Sequence, residues 1–161
     1  MATPTTQGSD APTTGTSPGA ATVAGAVHRV RIPLRISDFV GMHVNNVRFQ
    51  EFSQDARLMW FREKFGVPGS RVPSALARWM EIDFRRTIAM GVPEVWVDVQ
   101  VVRVGRTSFT MRTSIGSEST GAEPCAVVDT VMVVTADDET TTLEITPVER
   151  AALLGDREEA G

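Results

Sequence analysis

The chain has 161 residues, 16 basic and 20 acidic side chains, and a formal net charge of −4. This length predicts a single domain, and the acidic balance argues against nucleic acid or anionic membrane as a partner. A single cysteine, Cys125, excludes an intramolecular disulfide. No apolar run reaches membrane-spanning length and the N-terminus lacks a secretory pattern, so we predict a soluble, cytoplasmic protein.

The first part of the chain differs in composition from the rest. Residues 1–26 are dominated by Thr, Gly, Ala, Ser and Pro, and such a segment cannot bury enough apolar surface to offset the entropy lost on ordering. We therefore predict a disordered tail over 1–26, one folded domain over 27–155 and a flexible C-terminus over 156–161.

The folded domain opens with a strand and one long helix. From Val27 the chain alternates apolar and polar residues, which predicts a half-buried strand, and Pro33 indicates an edge position or a bulge. The predicted apolar face of this strand consists of Val30, Ile32, Leu34 and Ile36. A helix is predicted over 46–65, capped by Asn45 or Asn46 and ended by Gly66. Its apolar residues recur at helical spacing: Phe49, Phe52, Ala56, Met59 and Trp60.

A loop over 67–75 and a run of strands follow. The strands are predicted at about 76–90, 94–104, 107–117 and 125–135, and the last is nearly continuous in apolar residues, which is typical of an interior position. Gly105-Arg106 predicts a tight hairpin, whereas 116–124 predicts a looser connection. Thr146-Pro-Val-Glu149 predicts a capping box that opens a short helix through Leu154. One long helix with an antiparallel sheet is an α+β layout.

Candidate chemistry concentrates where the first strand passes into the helix. The segment Ile36-Ser-Asp-Phe-Val-Gly-Met-His-Val-Asn-Asn46 holds a carboxylate, an imidazole and two amides. A helix N-terminus presents unpaired N–H groups that can polarise a carbonyl, and Asp38 could activate water or attack directly. In the alternative interpretation Asp38 forms a turn, His43 is structural, and Asn45 or Asn46 is an ordinary cap.

Two separated motifs resemble one known family. Gly41-Met-His-Val-Asn-Asn46, with the following segment through Asp55-Ala-Arg57, is similar to the Gly-His-Val-Asn-Asn…Glu-Ala-Arg signature of hotdog-fold acyl-CoA thioesterases of the 4-hydroxybenzoyl-CoA thioesterase group. Val102-Arg-Val-Gly-Arg-Thr-Ser-Phe109 resembles that family's Arg-Val-Gly-x-Ser-Ser-Phe turn. The resemblance covers about 27–155. It implies a hotdog fold, in which an antiparallel sheet wraps one long central helix, and a homodimer or homotetramer with sites between subunits.

The resemblance also implies roles for the residues at the helix entry. Asp38 would be the nucleophile or the general base, the N–H near Asn46 would polarise the thioester carbonyl, and His43 would shape the loop. The family places its acid four residues before the His, where this chain has Phe39, while Asp38 lies five residues before it. The loop is therefore shifted by one residue, or the usual acid is absent and the side chain of Asn45 or Asn46 positions water.

Coenzyme A phosphates are expected at the second motif. Its resemblance implies that Arg103, Arg106, Thr107 and Ser108 hold the phosphates, with Arg86 as a weaker candidate. Guanidinium groups suit phosphate, and hydroxyls add donors. In the alternative interpretation these arginines are only exposed surface residues.

The leading functional prediction is a thioesterase that acts on an acyl-CoA or an acyl-carrier-protein thioester. The Asp38-to-His43 spacing also fits R-specific enoyl-CoA hydratases, and the displaced acid leaves open a non-catalytic acyl-thioester binder. Gly15-Thr-Ser-Pro-Gly19 matches Gly-x-Ser-x-Gly, but it lies in the predicted disordered tail and not at a strand-to-helix turn, which argues against an α/β-hydrolase. Two histidines and one cysteine in unrelated contexts argue against a zinc site, so no metal or cofactor is predicted.

Overall fold

The structure is a computed structural model that describes residues 21–22, 25–66 and 74–155. The elements in chain order are β1 (Ala21–Thr22), β2 (His28–Pro33), a 3-10 turn (Ile36–Asp38), β3 (Phe39–Val40), β4 (His43–Val44), α1 (Asn46–Phe65), β5 (Ser74–Phe84), β6 (Glu94–Val104), β7 (Ser108–Gly116), a second 3-10 turn (Glu118–Thr120), β8 (Ala126–Thr135) and α2 (Pro147–Leu154). Neither helix in these ranges is long and apolar enough to cross a bilayer.

The main sheet is antiparallel, and α1 lies on one of its faces. Strand β6 pairs with β7, β7 with β8, and β8 with β5, while β1 and β2 both pair along the other side of β6. Strands β2 and β5 are therefore edges of the sheet in the described part of the chain. The edge position that Pro33 indicates and the predicted α+β arrangement of one long helix against an antiparallel sheet are confirmed.

Helix α1 begins and ends where the sequence predicts. The Asn45 side chain accepts the Val47 N–H at 3.1 Å, and the Gly66 N–H donates to the Arg62 carbonyl at 2.8 Å. Four of the predicted apolar residues are buried against the sheet: Phe49, Phe52, Ala56 and Trp60. Burial of a large apolar side chain stabilises by about 1.5–3 kcal/mol. The prediction for Met59 is wrong, because it lies at the margin of the apolar stripe and is 48% exposed.

Strand boundaries are correct where both neighbours are strands and wrong near edges. Strand β6 has the predicted bounds. Strand β2 ends at Pro33, because the chain then leaves the ladder for the 3-10 turn, and Ile36 is 90% exposed rather than on the apolar face. Strand β5 ends at Phe84 instead of continuing to residue 90, since the Arg85 and Arg86 N–H groups both turn to the Cys125 carbonyl.

The connections also differ in part from the predictions. The β6–β7 hairpin is present, but three residues, 105–107, separate its strands, so no two-residue turn forms. The capping box of α2 is confirmed, with Thr146 Oγ1 accepting the Glu149 N–H and Glu149 Oε2 accepting the Thr146 N–H. Residues 67–73, 156–161 and most of the predicted tail lie outside the described residues. Within that tail, Ala21–Thr22 pair with β6.

The sheet has two ends that matter for the site. The loop end is the one where β2 and β5 finish and β6 starts, and it carries residues 36–45, which lead into α1. The turn end carries the β6–β7 hairpin, residues 105–107. Strand β6 runs from one end to the other over 11 residues, which corresponds to about 33 Å at roughly 3.3 Å per residue.

Candidate active site

The carboxylate of Asp38 lies inside the loop that precedes α1. Asp38 closes the 3-10 turn and is 1% exposed. Its Oδ2 accepts the Arg35 N–H at 2.7 Å, and its carbonyl accepts the Asn45 N–H at 2.8 Å. The loop therefore folds back so that the acid lies beside the helix start. Phe39, the residue at the family's usual acid position, begins β3 and packs against the core.

Arg48 is the principal side-chain partner of Asp38, and sequence reasoning missed it. Its Nη2 lies 2.8 Å from Asp38 Oδ1, but outside hydrogen-bonding geometry, so Oδ1 remains a buried acceptor without a hydrogen bond in the described structure. Arg48 also pairs with Glu51 and lies over the Phe52 ring at 5.5 Å. The signal was present in the sequence, because Arg48 is the third residue of a helix whose entry loop holds an acid.

The helix start leaves one backbone donor open. The Asn45 side chain and carbonyl accept the N–H groups of Val47 and Arg48, while the N–H of Asn46 has no acceptor within the described part of the chain. The Asn46 side chain is exposed. A free N–H on the positive end of a 20-residue helix is suited to a carbonyl oxygen that gains negative charge.

The contacts of His43 differ from those of Asp38. It lies in β4, opposite Val40 and bridged to Ala89, and its side chain is exposed. Neighbouring backbone bonds join Val44 to Ile88 at 2.9 Å and Met90 to Met42 at 2.8 Å. His43 thus helps to fix the loop against residues 88–90, and it forms no Asp–His pair in the described structure.

The predicted phosphate-binding residues divide between the two ends of the sheet. Arg103, Arg106, Thr107 and Ser108 surround the hairpin at the turn end, where Arg106 is highly exposed and pairs with Glu144. Arg86 instead lies at the loop end, next to residues 88–90, and pairs with Glu123. Arg86 is therefore not next to the hairpin in one copy of the chain, because β5 runs the full length of the sheet before reaching it, and its role in phosphate binding stays a prediction.

Helix α2 supports the hairpin from behind. Arg150 donates to the Gly105 carbonyl at 2.6 Å and to the Val104 carbonyl at 3.4 Å. The Ile145 N–H donates to the Arg106 carbonyl at 2.8 Å, and the Val134 N–H to that of Thr107 at 3.0 Å. These bonds fix the backbone of the turn while leaving the Arg106 guanidinium on the surface.

Asp38 and the hairpin are not brought together within one copy of the chain. They lie at opposite ends of β6, about 33 Å apart by strand rise. In the described ranges, no three side chains of His, Cys, Asp or Glu come together in a way that would hold a metal ion.

Comparison with known proteins identifies the class. Residues 34–153 match the thioesterase-like superfamily, and the chain belongs to that family. A structure described as a predicted thioesterase from Bacillus stearothermophilus shares 24% identity, with 84% of this chain and 100% of that chain covered and a TM-score of 0.69. A Pseudomonas aeruginosa protein shares 22%, covering 83% and 94%, with a TM-score of 0.69. No curated protein matches significantly.

A third solved structure shares slightly more of its sequence. It is a thioesterase from Thermus thermophilus in complex with coenzyme A and Zn, at 26% identity, with 78% of this chain and 90% of that chain covered and a TM-score of 0.62. The family match spans both sequence motifs. The predicted hotdog fold and the predicted class of enzyme, a thioester hydrolase, are confirmed.

Proposed function

We propose that this cytoplasmic protein hydrolyses an acyl-CoA or acyl-carrier-protein thioester at a site shared by two copies of the chain. The observation that carries the proposal is the buried, unsatisfied Asp38 Oδ1 beside an open helix N-terminus. A buried acceptor without a hydrogen bond is costly, at about 1–3 kcal/mol, and such groups call for an explanation such as a catalytic role.

The chemistry assigned to this pair is a general-base hydrolysis. The Asn46 N–H donates to the thioester carbonyl oxygen, and Asp38 Oδ1 takes a proton from the water that attacks the carbonyl carbon. As the tetrahedral intermediate collapses, the carbon–sulfur bond breaks and the proton passes from Asp38 to the departing sulfur. The products are a free acid and a thiol. Asn45 orients the donor, and His43 holds the loop.

The carrier is assigned to the hairpin. Arg103, Arg106, Thr107 and Ser108 supply guanidinium and hydroxyl groups of the kind that bind phosphate. Arg106 would exchange its exposed partner Glu144 for a phosphate, which costs little because exposed ion pairs are weak. Coenzyme A in the Thermus thermophilus thioesterase supports a carrier of this type.

A second copy is needed because the two halves of the site lie at opposite ends of the sheet. Edge strand β5 pairs only with β8 in the described sheet, and it exposes Leu76, Trp79 and Phe84 by 41–48%. Such an apolar edge invites pairing. Antiparallel pairing of β5 with its counterpart about a two-fold axis would bring the loop end of one copy toward the turn end of the other. The assembly is then a homodimer, or a homotetramer built from two of them.

The test is release of free thiol from acyl-CoAs of short, medium, long and aromatic type, followed with a thiol reagent, with an acyl-carrier-protein panel alongside. We expect turnover of at least one group of substrates. Absence of thiol release from every member, with folded protein, would contradict hydrolysis. Hydration of crotonyl-CoA is measured in parallel, because it would identify a hydratase. We expect no hydration, since His43 and Asp38 form no pair in the described structure. Tight binding without turnover would identify a non-catalytic binder.

A further inference from the structure

A second buried charge lies in the middle of α1. Arg57 is 5% exposed, and its Nη1 donates to Ser53 Oγ at 2.7 Å and to Thr130 Oγ1 at 2.9 Å. Burial lowers the pKa of Arg57. No carboxylate in the described ranges pairs with it. Because buried arginines are normally paired, the absence of an acid here needs an explanation.

The hydroxyls hold only one of the three guanidinium nitrogens. Thr113 Oγ1 donates to the Val128 carbonyl at 3.4 Å, so Ser53 Oγ, 2.7 Å away, donates to Thr113 and accepts from Arg57. The Nε and Nη2 groups of Arg57 have no acceptor in the described structure. Neither is among the fully enclosed atoms without a partner, which are Asp38 Oδ1 and Arg48 Nε. Arg57 also lines the cavity between α1 and the edge of the sheet.

This cavity has a volume of about 290 Å³. Most of its wall is apolar, and Arg57 supplies the charge. The residues that line it include Gln54, Arg57, Leu58, Phe61, Leu76 and Met132. Apolar walls with a few fixed polar groups are typical of a small-ligand site.

We propose that this cavity receives the far end of the acyl group and that Arg57 binds a carboxylate there. The Nε and Nη2 donors form the edge of a guanidinium that matches both oxygens of a carboxylate. A plain hydrocarbon tail would cover these donors without pairing them, which is unfavourable. The inference rests on the proposed function, and it names the substrate class as thioesters of dicarboxylic acids.

The helix geometry limits the length of the acyl group. Arg57 follows Asn46 by 11 residues in the same helix, or about 16 Å at 1.5 Å per residue. A hydrogen bond of about 3 Å at each end leaves at most roughly 10 Å for the ligand, and the Arg57 side chain shortens this span because it leans back toward the helix start. An extended chain of about eight bonds covers that distance at roughly 1.2 Å per bond.

The experiment compares matched series of thioesters. Coenzyme A esters of about six to twelve carbons, a length range set by that span, are prepared with either a methyl or a carboxylate at the far end. For each chain length, the kcat/KM of the carboxylate ester is divided by that of the methyl ester, and this ratio is measured for the wild type, Arg57→Met, Arg57→Lys and Arg62→Met. Arg62 is an exposed residue of the same helix and serves as the control. We expect the wild type to prefer the carboxylate series. Arg57→Met should lower the ratio by about ten- to a hundredfold, as expected for a lost charged hydrogen bond, while Arg62→Met leaves it unchanged.

Binding of free dicarboxylates, measured by calorimetry against monocarboxylates of equal length, separates this inference from hydrolysis. If no thioester is cleaved but a dicarboxylate binds the wild type and not Arg57→Met, the proposed function is wrong and the subsite stands. If thioesters are cleaved and the wild type prefers the methyl series, or Arg57→Met keeps the ratio, the subsite is wrong. If Arg57→Met fails to fold, the test uses Arg57→Lys, which keeps the charge but loses the two-donor edge. An unchanged ratio of kcat/KM values in Arg57→Lys would overturn the proposal.

Discussion

The contact between Asp38 and Arg48 ties the proposed chemistry to the stability of the loop. Arg48 approaches Oδ1 without a hydrogen bond, whereas Oδ2 is held by the Arg35 N–H. One oxygen therefore anchors the loop, and the other is free to accept a proton. The Arg48 side chain is 28% exposed, so solvent and substrate approach the acid past this residue rather than through the core.

We predict that Asp38→Asn lowers kcat by about two to four orders of magnitude, the usual contribution of a general base. The amide keeps an acceptor for Arg35 but cannot take a proton from water. Because Arg48 loses its acidic partner, the variant should also lose about 1–3 kcal/mol of stability. Kinetics at saturating substrate and the melting temperature are measured together.

A double variant distinguishes a base from a group that only holds the loop. Asp38→Asn with Arg48→Met removes the unpaired guanidinium, and the melting temperature should recover. If Asp38 is the base, kcat stays low in the double variant. Recovery of kcat together with stability would show that Asp38 acts only by fixing the helix entry, and Asn46 would then be the residue to test for water positioning. His43→Ala is the matched control in the same loop, with a change of only several-fold expected.

At the scale of elements, the β6–β7 hairpin combines a hydrogen-bonded backbone with an exposed charge. Arg150 and the Ile145 N–H hold the carbonyls of residues 104–106. The Arg106 side chain is 77% exposed. A rigid turn that presents an exposed guanidinium lowers the entropic cost of binding phosphate.

We predict that Arg106→Ala raises KM for coenzyme A thioesters and leaves kcat nearly unchanged, since the lost contact is remote from the bond that breaks. Arg103→Ala should act in the same direction but more weakly. The same variants are assayed with truncated thioesters that lack the nucleotide, for which KM should not move. An equal rise for both substrates would mean that the turn distorts the site, and an unchanged KM for both would mean that the arginines are surface residues.

Local patterns in the sequence predict the parts of the fold that depend on near neighbours. The Asn45 cap, the Gly66 stop and the capping box at Thr146 each involve groups within a few residues, so spacing alone identifies them. The exposure of Ile36 could not be read in this way, because it depends on where the chain leaves the ladder. The alternation of apolar and polar residues in the sequence continues past the residue at which β2 ends.

The site was predicted only in its separate parts, for the same reason. Both motifs could be located from their residues, but their positions at opposite ends of β6 follow from the strand order. Asp38 and Arg48 are ten residues apart in the chain, and although an acid before a helix and an arginine in its first turn are a signal, their contact depends on the loop folding back onto the helix start. Arg57 occupies the apolar face of α1, where an arginine is itself a signal, yet its lack of an acidic partner appears only once the sheet is in place.

At the scale of the whole molecule, the proposed site is incomplete in one copy. In our proposal, the loop end supplies the acid and the open N–H, and the turn end supplies the phosphate contacts. An isologous dimer contains two equivalent sites, each with one half from each copy. In the proposed dimer, the exposed apolar residues of β5 form the interface, and we predict that Trp79→Glu abolishes activity as well as association.

A sharper prediction uses hybrid dimers of two inactive or weakened variants. Asp38→Asn and Arg106→Ala are co-expressed with different affinity tags, and dimers that carry both tags are isolated. One site in each hybrid combines the two damaged halves, whereas the other combines the intact loop end of one copy with the intact hairpin of its partner. At coenzyme A thioester concentrations where Arg106→Ala is slow, purified hybrids should recover about half of wild-type activity per dimer, because one of two equivalent sites is whole. Hybrids no more active than the average of the parent variants would show that each site is built within a single copy.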